Sequence, residues 1–137
     1  MLFPIGIQSF SEIRKGGYVY VDKTAQIYEL ATTGKCYFLS RPRRFGKSLL
    51  LSTLEAYFLG QKDLFKGLAI EQLEKEWTVY PVLHIDMTSE DYTDEAGLKA
   101  MLNMYLSQWE TIYGRNEDET TVSNRFSGVV KRAFQQT

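Results

Sequence analysis

The sequence contains very few of the features that mark secreted, disulfide-bonded or membrane-spanning proteins. A single cysteine, Cys36, excludes an internal disulfide and fits a reducing compartment. No apolar run reaches the length of a membrane span, and residues 1–10 lack the basic start and long apolar stretch of a signal peptide. We therefore expect a soluble, cytoplasmic protein that does not associate with a membrane.

The sequence also lacks an excess of either sign of charge. Sixteen Lys and Arg residues oppose 17 Asp and Glu residues, so the net charge is −1 and no global field recruits nucleic acid. Positive charge is concentrated locally instead, at Arg41, Arg43, Arg44 and Lys47. A length of 137 residues with 44% hydrophobic content predicts one globular domain, over residues 1–137, with a single core.

The hydrophobic pattern predicts strands that alternate with helices. Short apolar or β-branched runs predict strands at 18–21, 36–40 and 82–87. Helical spacing predicts helices at 25–33 with Thr24 as cap, from 47 to Gly60, at 98–113 and at 122–134, and one or two short helices within 64–77. This alternation favours an α/β fold with a parallel sheet, although two buried strands are few for a stable open sheet.

The segment from Ser40 to Ser48, Ser-Arg-Pro-Arg-Arg-Phe-Gly-Lys-Ser, lies between a predicted strand and a predicted helix. It ends in Gly-Lys-Ser as a phosphate-binding P-loop does, but Arg41 stands where that loop usually opens with glycine. In such a loop, backbone N–H groups and the following helix N-terminus bind the phosphates. Lys47 would then reach the β- and γ-phosphates, and the Ser48 hydroxyl would ligate Mg²⁺.

The other residues of this segment fit the same chemistry. Gly46 allows the backbone to approach a phosphate closely, and Pro42 stiffens the loop and restricts Arg41 to extended conformations. Arg43 and Arg44 offer forked donors to phosphate oxygens. Three alternatives stay open: a basic surface turn that binds nothing, an interaction or nucleic-acid-binding module in which the arginines grip phosphates, and a fragment that binds nothing because its sheet is incomplete. The lack of an extended basic face weighs against the second.

Three sequence blocks carry a resemblance to a known family. They are residues 20–24 (Tyr-Val-Asp-Lys-Thr), residues 37–50 around the basic segment, and residues 80–86 (Tyr-Pro-Val-Leu-His-Ile-Asp). Together they resemble the predicted AAA-ATPase-like family of bacterial and archaeal proteins, which uses Arg-Pro-Arg-Arg-Phe-Gly-Lys-Ser as its own P-loop variant. Arg41 follows that family's pattern.

The resemblance implies a P-loop NTPase-like, three-layer α/β sandwich with a parallel sheet. It also implies binding of ATP and Mg²⁺, with nucleotide contacts from Arg41, Pro42, Arg43, Arg44, Phe45, Gly46, Lys47 and Ser48, the last also holding the metal. Fuller family members have a further strand with an Asp-Glu pair of Walker B type, and often a nuclease-like domain of the PD-(D/E)XK type. Neither is found here, so we expect an amino-terminal part with an incomplete sheet that binds ATP without efficient hydrolysis.

Asp86, Asp22 and Lys23 are further candidates for the site. Asp86 ends a predicted strand, as a Walker B aspartate does, but Met87 stands where a catalytic glutamate would follow. We therefore favour a role for Asp86 in capping the next loop. Asp22 and Lys23 either line the side of the site that binds the base or lead into the helix after them, and the sequence leaves both readings open.

The remaining polar and aromatic candidates are expected to be structural. We expect His84 to be buried or half-buried and Cys36 to be a small buried hydrophobe. The acidic cluster of Glu90, Asp91, Asp94 and Glu95 is expected to be a solvated loop. The aromatic residues Tyr105, Trp109 and Tyr113 follow helical spacing and are expected in a core.

Overall fold

The computed structural model describes residues 1–88 and 93–137, which form helices joined by turns and extended segments. The chain divides into two compact units, Met1–Val82 and Leu83–Thr137. Of the expected acidic cluster, Glu90 and Asp91 lie outside the described residues. Among the described helices, none is both long enough and apolar enough to cross a membrane.

The first unit contains four α-helices and one 3₁₀ turn. Helix α1 spans Phe10–Lys15, α2 spans Thr24–Thr33, and α3 spans Lys47–Phe58. The 3₁₀ turn Lys62–Phe65 and the short helix α4, Ile70–Leu73, follow. Helices α2, α3 and α4 confirm the helical predictions for this part of the chain, whereas α1 was not predicted.

The core of the first unit is rich in aromatic rings. Phe10 and Phe65 are fully buried, with ring centroids 4.7 Å apart, and Trp77 packs against Phe65 at 5.2 Å. Ile27 of α2 and Ala56 of α3 complete the contact between the helices. Because burying each large side chain contributes about 1.5–3 kcal/mol, this cluster holds α1, α2 and α3 together.

The second unit is built on two helices, α5 (Glu95–Tyr113) and α6 (Val122–Gln135). Asp94 caps α5 by accepting a hydrogen bond from the Gly97 N–H at 2.8 Å, and Thr121 caps α6 in the same way. The buried core consists of Leu106, Trp109 and Val129, against which Tyr105 and Tyr113 pack. The predicted structural role of this aromatic stripe is confirmed.

A buried ion pair joins these two helices. The Arg125 guanidinium donates to both carboxylate oxygens of Glu110 at 2.8 Å, and to Asn103 at 2.6 Å. The Arg125 hydrogen bonds lower the pKa of Glu110 despite burial. Removing one partner of such a pair leaves an unpaired charge, so the pair fixes how α5 and α6 face each other.

The predicted α/β fold is wrong for the described chain. Residues 1–88 and 93–137 contain no sheet and only one isolated parallel bridge, between Leu2 and Tyr18. The segments 18–21, 36–40 and 82–87 are not strands. The P-loop NTPase-like, three-layer sandwich with a parallel sheet, complete or incomplete, is therefore corrected to a helical architecture.

At residues 80 and 86, other groups take the hydrogen bonds that a neighbouring strand would make. The Tyr105 hydroxyl accepts from the Asp86 N–H and donates to the Asp86 carbonyl, both at 3.0 Å. The Tyr80 N–H donates to the carbonyl of Phe58, at the end of α3, at 2.7 Å. An apolar run in the sequence indicates burial or β-propensity, but it does not show whether a partner strand is present. The prediction of strands from such runs was therefore wrong.

Two residues expected to be buried are exposed. Cys36 and His84 both lie at the surface, so the expectation of a small buried hydrophobe and that of a buried or half-buried histidine are wrong. Phe38, beside Cys36, is 94% exposed, which shows that the apolar run at 36–40 does not enter the core.

Candidate functional site

The basic loop, residues 41–48, is an exposed turn that leads directly into α3. Residues 41–46 and Ser48 are exposed, and Lys47 is half-buried. Arg44 has φ 64° and Gly46 has φ 77°, both in the left-handed region. A non-glycine residue rarely adopts such a φ, because this conformation is strained. The surrounding structure must therefore hold Arg44 in place, and the loop is constrained.

Lys47 closes this loop upon itself. Its Nζ donates a hydrogen bond to the carbonyl oxygen of Arg41 at 2.9 Å, across the turn between them. The ammonium therefore lies over the loop backbone and is not paired with a carboxylate in this contact. An anionic ligand could replace that carbonyl as the acceptor, and the hydrogen bond would then be charge-assisted on both sides.

The N-terminus of α3 is open to an anion. Gly46 is its N-cap and provides no side chain, and the first turn contains no acidic residue. The first N–H groups of any α-helix have no acceptor within the helix, and the helix dipole adds positive potential there. Three arginines precede this point, at 41, 43 and 44, so the local charge favours an anion.

A cavity of about 520 Å³ adjoins the basic loop. Its walls come from the loop, from one face of α2 and from one face of α3, with the entry segment near Pro4 and the stretch around Tyr20. Most of the lining is aliphatic or aromatic, while Lys23, Gln26 and Arg41 bring polar ends to it. Its size lies within the range of small-molecule sites.

The structure separates the roles of Asp22 and Lys23. The Asp22 carboxylate accepts hydrogen bonds from the N–H and hydroxyl of Thr24 at 2.9 and 2.6 Å, and from the Ala69 N–H at 2.7 Å. Asp22 therefore fastens the start of α2 to the segment before α4, and Thr24 is the first residue of α2, not its cap. Lys23 is exposed and lines the cavity.

Asp86 caps the turn that follows it, as favoured from the sequence. Its Oδ1 accepts from the Thr88 N–H at 2.8 Å and from the Thr88 hydroxyl at 2.6 Å. These hydrogen bonds lower the pKa of the Asp86 carboxyl. Among residues 1–88 and 93–137, no group of three or more His, Cys, Asp or Glu side chains is arranged to hold a metal ion.

Sequence reasoning located the basic loop but missed the cavity and Gln26. The signal that could have found the cavity is the helical spacing of apolar residues on two neighbouring helices. Ile27 and Leu30 of α2 and Leu49 and Leu50 of α3 line the same space. Gln26 gave no signal of its own, because a glutamine on an exposed helix surface is ordinary.

The comparisons with known proteins agree with the resemblance seen in the sequence. The family model described as predicted AAA-ATPase matches residues 4–137. A protein from Azotobacter chroococcum mcd 1, described as "Uncharacterized protein in vnfD 5'region", is 39% identical over 132 residues, which cover 95% of this chain and 25% of that protein. The chain thus spans about a quarter of that relative's length. No solved structure matches. The family's description points to nucleotide binding in general terms, and the chain belongs to the AAA-ATPase-like family.

Proposed function

We propose that this chain binds ATP through the basic loop. The observation that carries the proposal is the geometry of residues 41–48. Left-handed backbone at Arg44 and Gly46 turns the chain into the uncapped N-terminus of α3, and Lys47 lies over the loop. Consecutive N–H groups at such a turn and at a helix start form an anion-binding concavity. The family's description supports a nucleotide as the anion.

Each loop residue has a role in this proposal. Lys47 exchanges the Arg41 carbonyl for the β- and γ-phosphates, and Arg41, Arg43 and Arg44 donate to phosphate oxygens. Gly46 lets the phosphates approach because nothing lies within 4 Å of the position where a Cβ would stand. Pro42 and Phe45 shape the turn on either side of Arg43 and Arg44.

Mg²⁺ fits this site as a companion of the nucleotide. Mg²⁺ in nucleotide sites takes most of its ligands from phosphates and water, with only one or two from the protein. The Ser48 hydroxyl, exposed in the first turn of α3, is the residue that would hold it. When bound, Mg²⁺ neutralises charge on the phosphate oxygens.

The proposal is for binding and not for efficient turnover. Hydrolysis needs a residue that orients the attacking water, in addition to the phosphate cradle. The Asp86 carboxylate is engaged by Thr88, and Met87 follows it in place of a glutamate.

Calorimetric titration of Mg-ATP into the parent, Lys47→Ala and Lys131→Ala tests the proposal. Lys131 is an exposed lysine on α6, so its variant controls for the loss of one positive charge. We expect Lys47→Ala to weaken binding about tenfold or more, since hydrogen bonds to charged groups contribute about 1.5–3 kcal/mol, and Lys131→Ala to bind like the parent. Equal affinity of the parent and Lys47→Ala, or no binding by the parent at millimolar Mg-ATP, would contradict it. Nucleotide recovered after the titration should remain ATP.

A further inference from the structure

A second cavity, here called the α3 groove, is formed by the end of α2, one face of α3 and the segment 37–39 between these helices. Its volume of about 560 Å³ falls in the 300–1,000 Å³ range of typical small-molecule pockets. Most of its wall is aliphatic or aromatic, from Leu30, Ala31, Phe38, Leu51, Leu54 and Phe58. The proposed binding of ATP uses none of these side chains.

Part of this apolar wall is open to solvent. The Phe38 ring is 94% exposed, and the Leu51 side chain is 52% exposed. Apolar side chains that meet around a concave surface are typical of a binding groove, whereas single exposed apolar residues are ordinary. A ligand with an apolar body would remove this surface from water, which is the main favourable contribution to such binding.

Three polar side chains line the α3 groove, and two of them are already hydrogen-bonded. The Tyr37 hydroxyl donates to the Leu30 carbonyl at 2.8 Å, and the Lys47 ammonium donates to the Arg41 carbonyl at 2.9 Å. Lys35 is exposed, and its ammonium makes no hydrogen bond or ion pair within residues 1–88 and 93–137. Lys35 is therefore the polar side chain that can bind a ligand without giving up another contact.

The charged side chains of the α3 groove all have the same sign. Lys35 and Lys47 line it, and no Asp or Glu of the described residues does. A cationic ligand would therefore meet only like charges, while an anionic group would be attracted to both lysines. The charges favour a ligand with an anionic head, and the apolar wall favours a ligand whose remaining atoms need no hydrogen-bond partner.

We propose that the α3 groove binds an apolar molecule with a single carboxylate head, of the class of medium-chain fatty acids. The carboxylate pairs with the Lys35 ammonium. The apolar chain contacts Leu51 and Phe58 of α3 and covers the exposed Phe38 ring. This site is independent of the proposed ATP binding, although Lys47 borders both.

Calorimetric titration of dodecanoate and of dodecyltrimethylammonium, both kept below micelle formation, tests the groove in the parent and in Lys35→Ala and Phe38→Asp. The matched controls are Lys131→Ala and Phe134→Asp, since both residues are exposed on α6 and neither lines the groove.

We expect the parent to bind dodecanoate more tightly than the cationic amphiphile of the same chain length. Lys35→Ala should weaken dodecanoate binding about twofold to fivefold, the range for an exposed ion pair. Phe38→Asp should weaken it about tenfold or more, because this variant removes an apolar contact and adds a like charge. Both control variants should bind dodecanoate like the parent.

Equal dodecanoate affinity of the parent and Phe38→Asp, or equal affinity of the parent for the two amphiphiles, would overturn this proposal. A parent that forms a dimer in analytical ultracentrifugation, does not bind dodecanoate and becomes monomeric as Phe38→Asp would identify the groove as an interface between two copies and overturn it as well. A parent that binds dodecanoate but not Mg-ATP would overturn the loop proposal alone. Far-UV circular dichroism of each variant checks that the helices are intact, which the exposure of Lys35 and Phe38 leads us to expect.

Discussion

Asp22 shows how a single residue within a site-like sequence block can serve the fold. Its two carboxylate oxygens accept three hydrogen bonds, from the N–H and hydroxyl of Thr24 and from the N–H of Ala69. Burial raises the pKa of Asp22, but these hydrogen bonds outweigh it and the pKa is lowered. The sequence could not decide between this role and a base contact, because Ala69 is 47 positions away.

Asp22→Asn is expected to reduce the free energy of unfolding by about 1 kcal/mol at pH 7. The asparagine oxygen can still accept from Thr24, but its NH₂ group faces the Ala69 N–H and cannot accept. Urea denaturation of the parent and variant measures the loss, with Asp118→Asn at an exposed loop position as control.

The same variant has a predicted pH dependence. A lowered pKa in the folded state stabilises the protein above the unfolded-state value of about 4, and this contribution is lost as the pH falls through the lowered pKa. The difference between parent and Asp22→Asn should therefore shrink as the pH drops below about 4. A difference that stays constant down to pH 2.5 would show that the charge of Asp22 does not contribute.

At the scale of elements, the longer helices were predictable, whereas the short helix α1 and the extended segments were not. Helices α3 and α6 begin near their predicted positions, because hydrophobic spacing and caps such as Thr121 act within a few residues. Strand pairing depends instead on distant partners. The Asp86 backbone is hydrogen-bonded to the Tyr105 hydroxyl, and no local sequence pattern around residues 82–87 indicates that contact.

The candidate site was likewise predictable only where it depends on local sequence. The position and turn of the basic loop followed from Pro42, Gly46 and the start of a helix at Lys47, all of which are local. The cavity depends on how α2 packs against α3, which the sequence does not specify. Gln26 became a candidate only when that packing was known.

The contact between α5 and α6 depends on the buried pair of Arg125 and Glu110, whose side chains are 10% and 6% exposed. Arg125→Met should lower the free energy of unfolding by about 3–5 kcal/mol, because the Glu110 carboxylate would lose its partner. The double variant Glu110→Met/Arg125→Met should recover most of that loss, since two apolar side chains replace two charges. Urea denaturation followed by circular dichroism measures both. A double variant no more stable than Arg125→Met would refute this account.

At the scale of the whole molecule, the chain consists of two compact helical units, and the basic loop and its cavity both lie in the first. The family covers residues 4–137 of this chain, while the Azotobacter relative is about four times as long. The proposed ATP binding therefore rests on contacts within one unit.

The most direct test of this account is the thermal midpoint of the whole chain with and without Mg-ATP, for the parent and for Lys47→Ala. A ligand that binds only the folded state stabilises it by about 2.7 kcal/mol at a hundredfold excess over Kd. We predict a midpoint of the parent that rises with ATP concentration and one of Lys47→Ala that does not. A midpoint unchanged at millimolar Mg-ATP would contradict the account, and one raised by an oligonucleotide instead would identify the basic loop as a nucleic-acid contact.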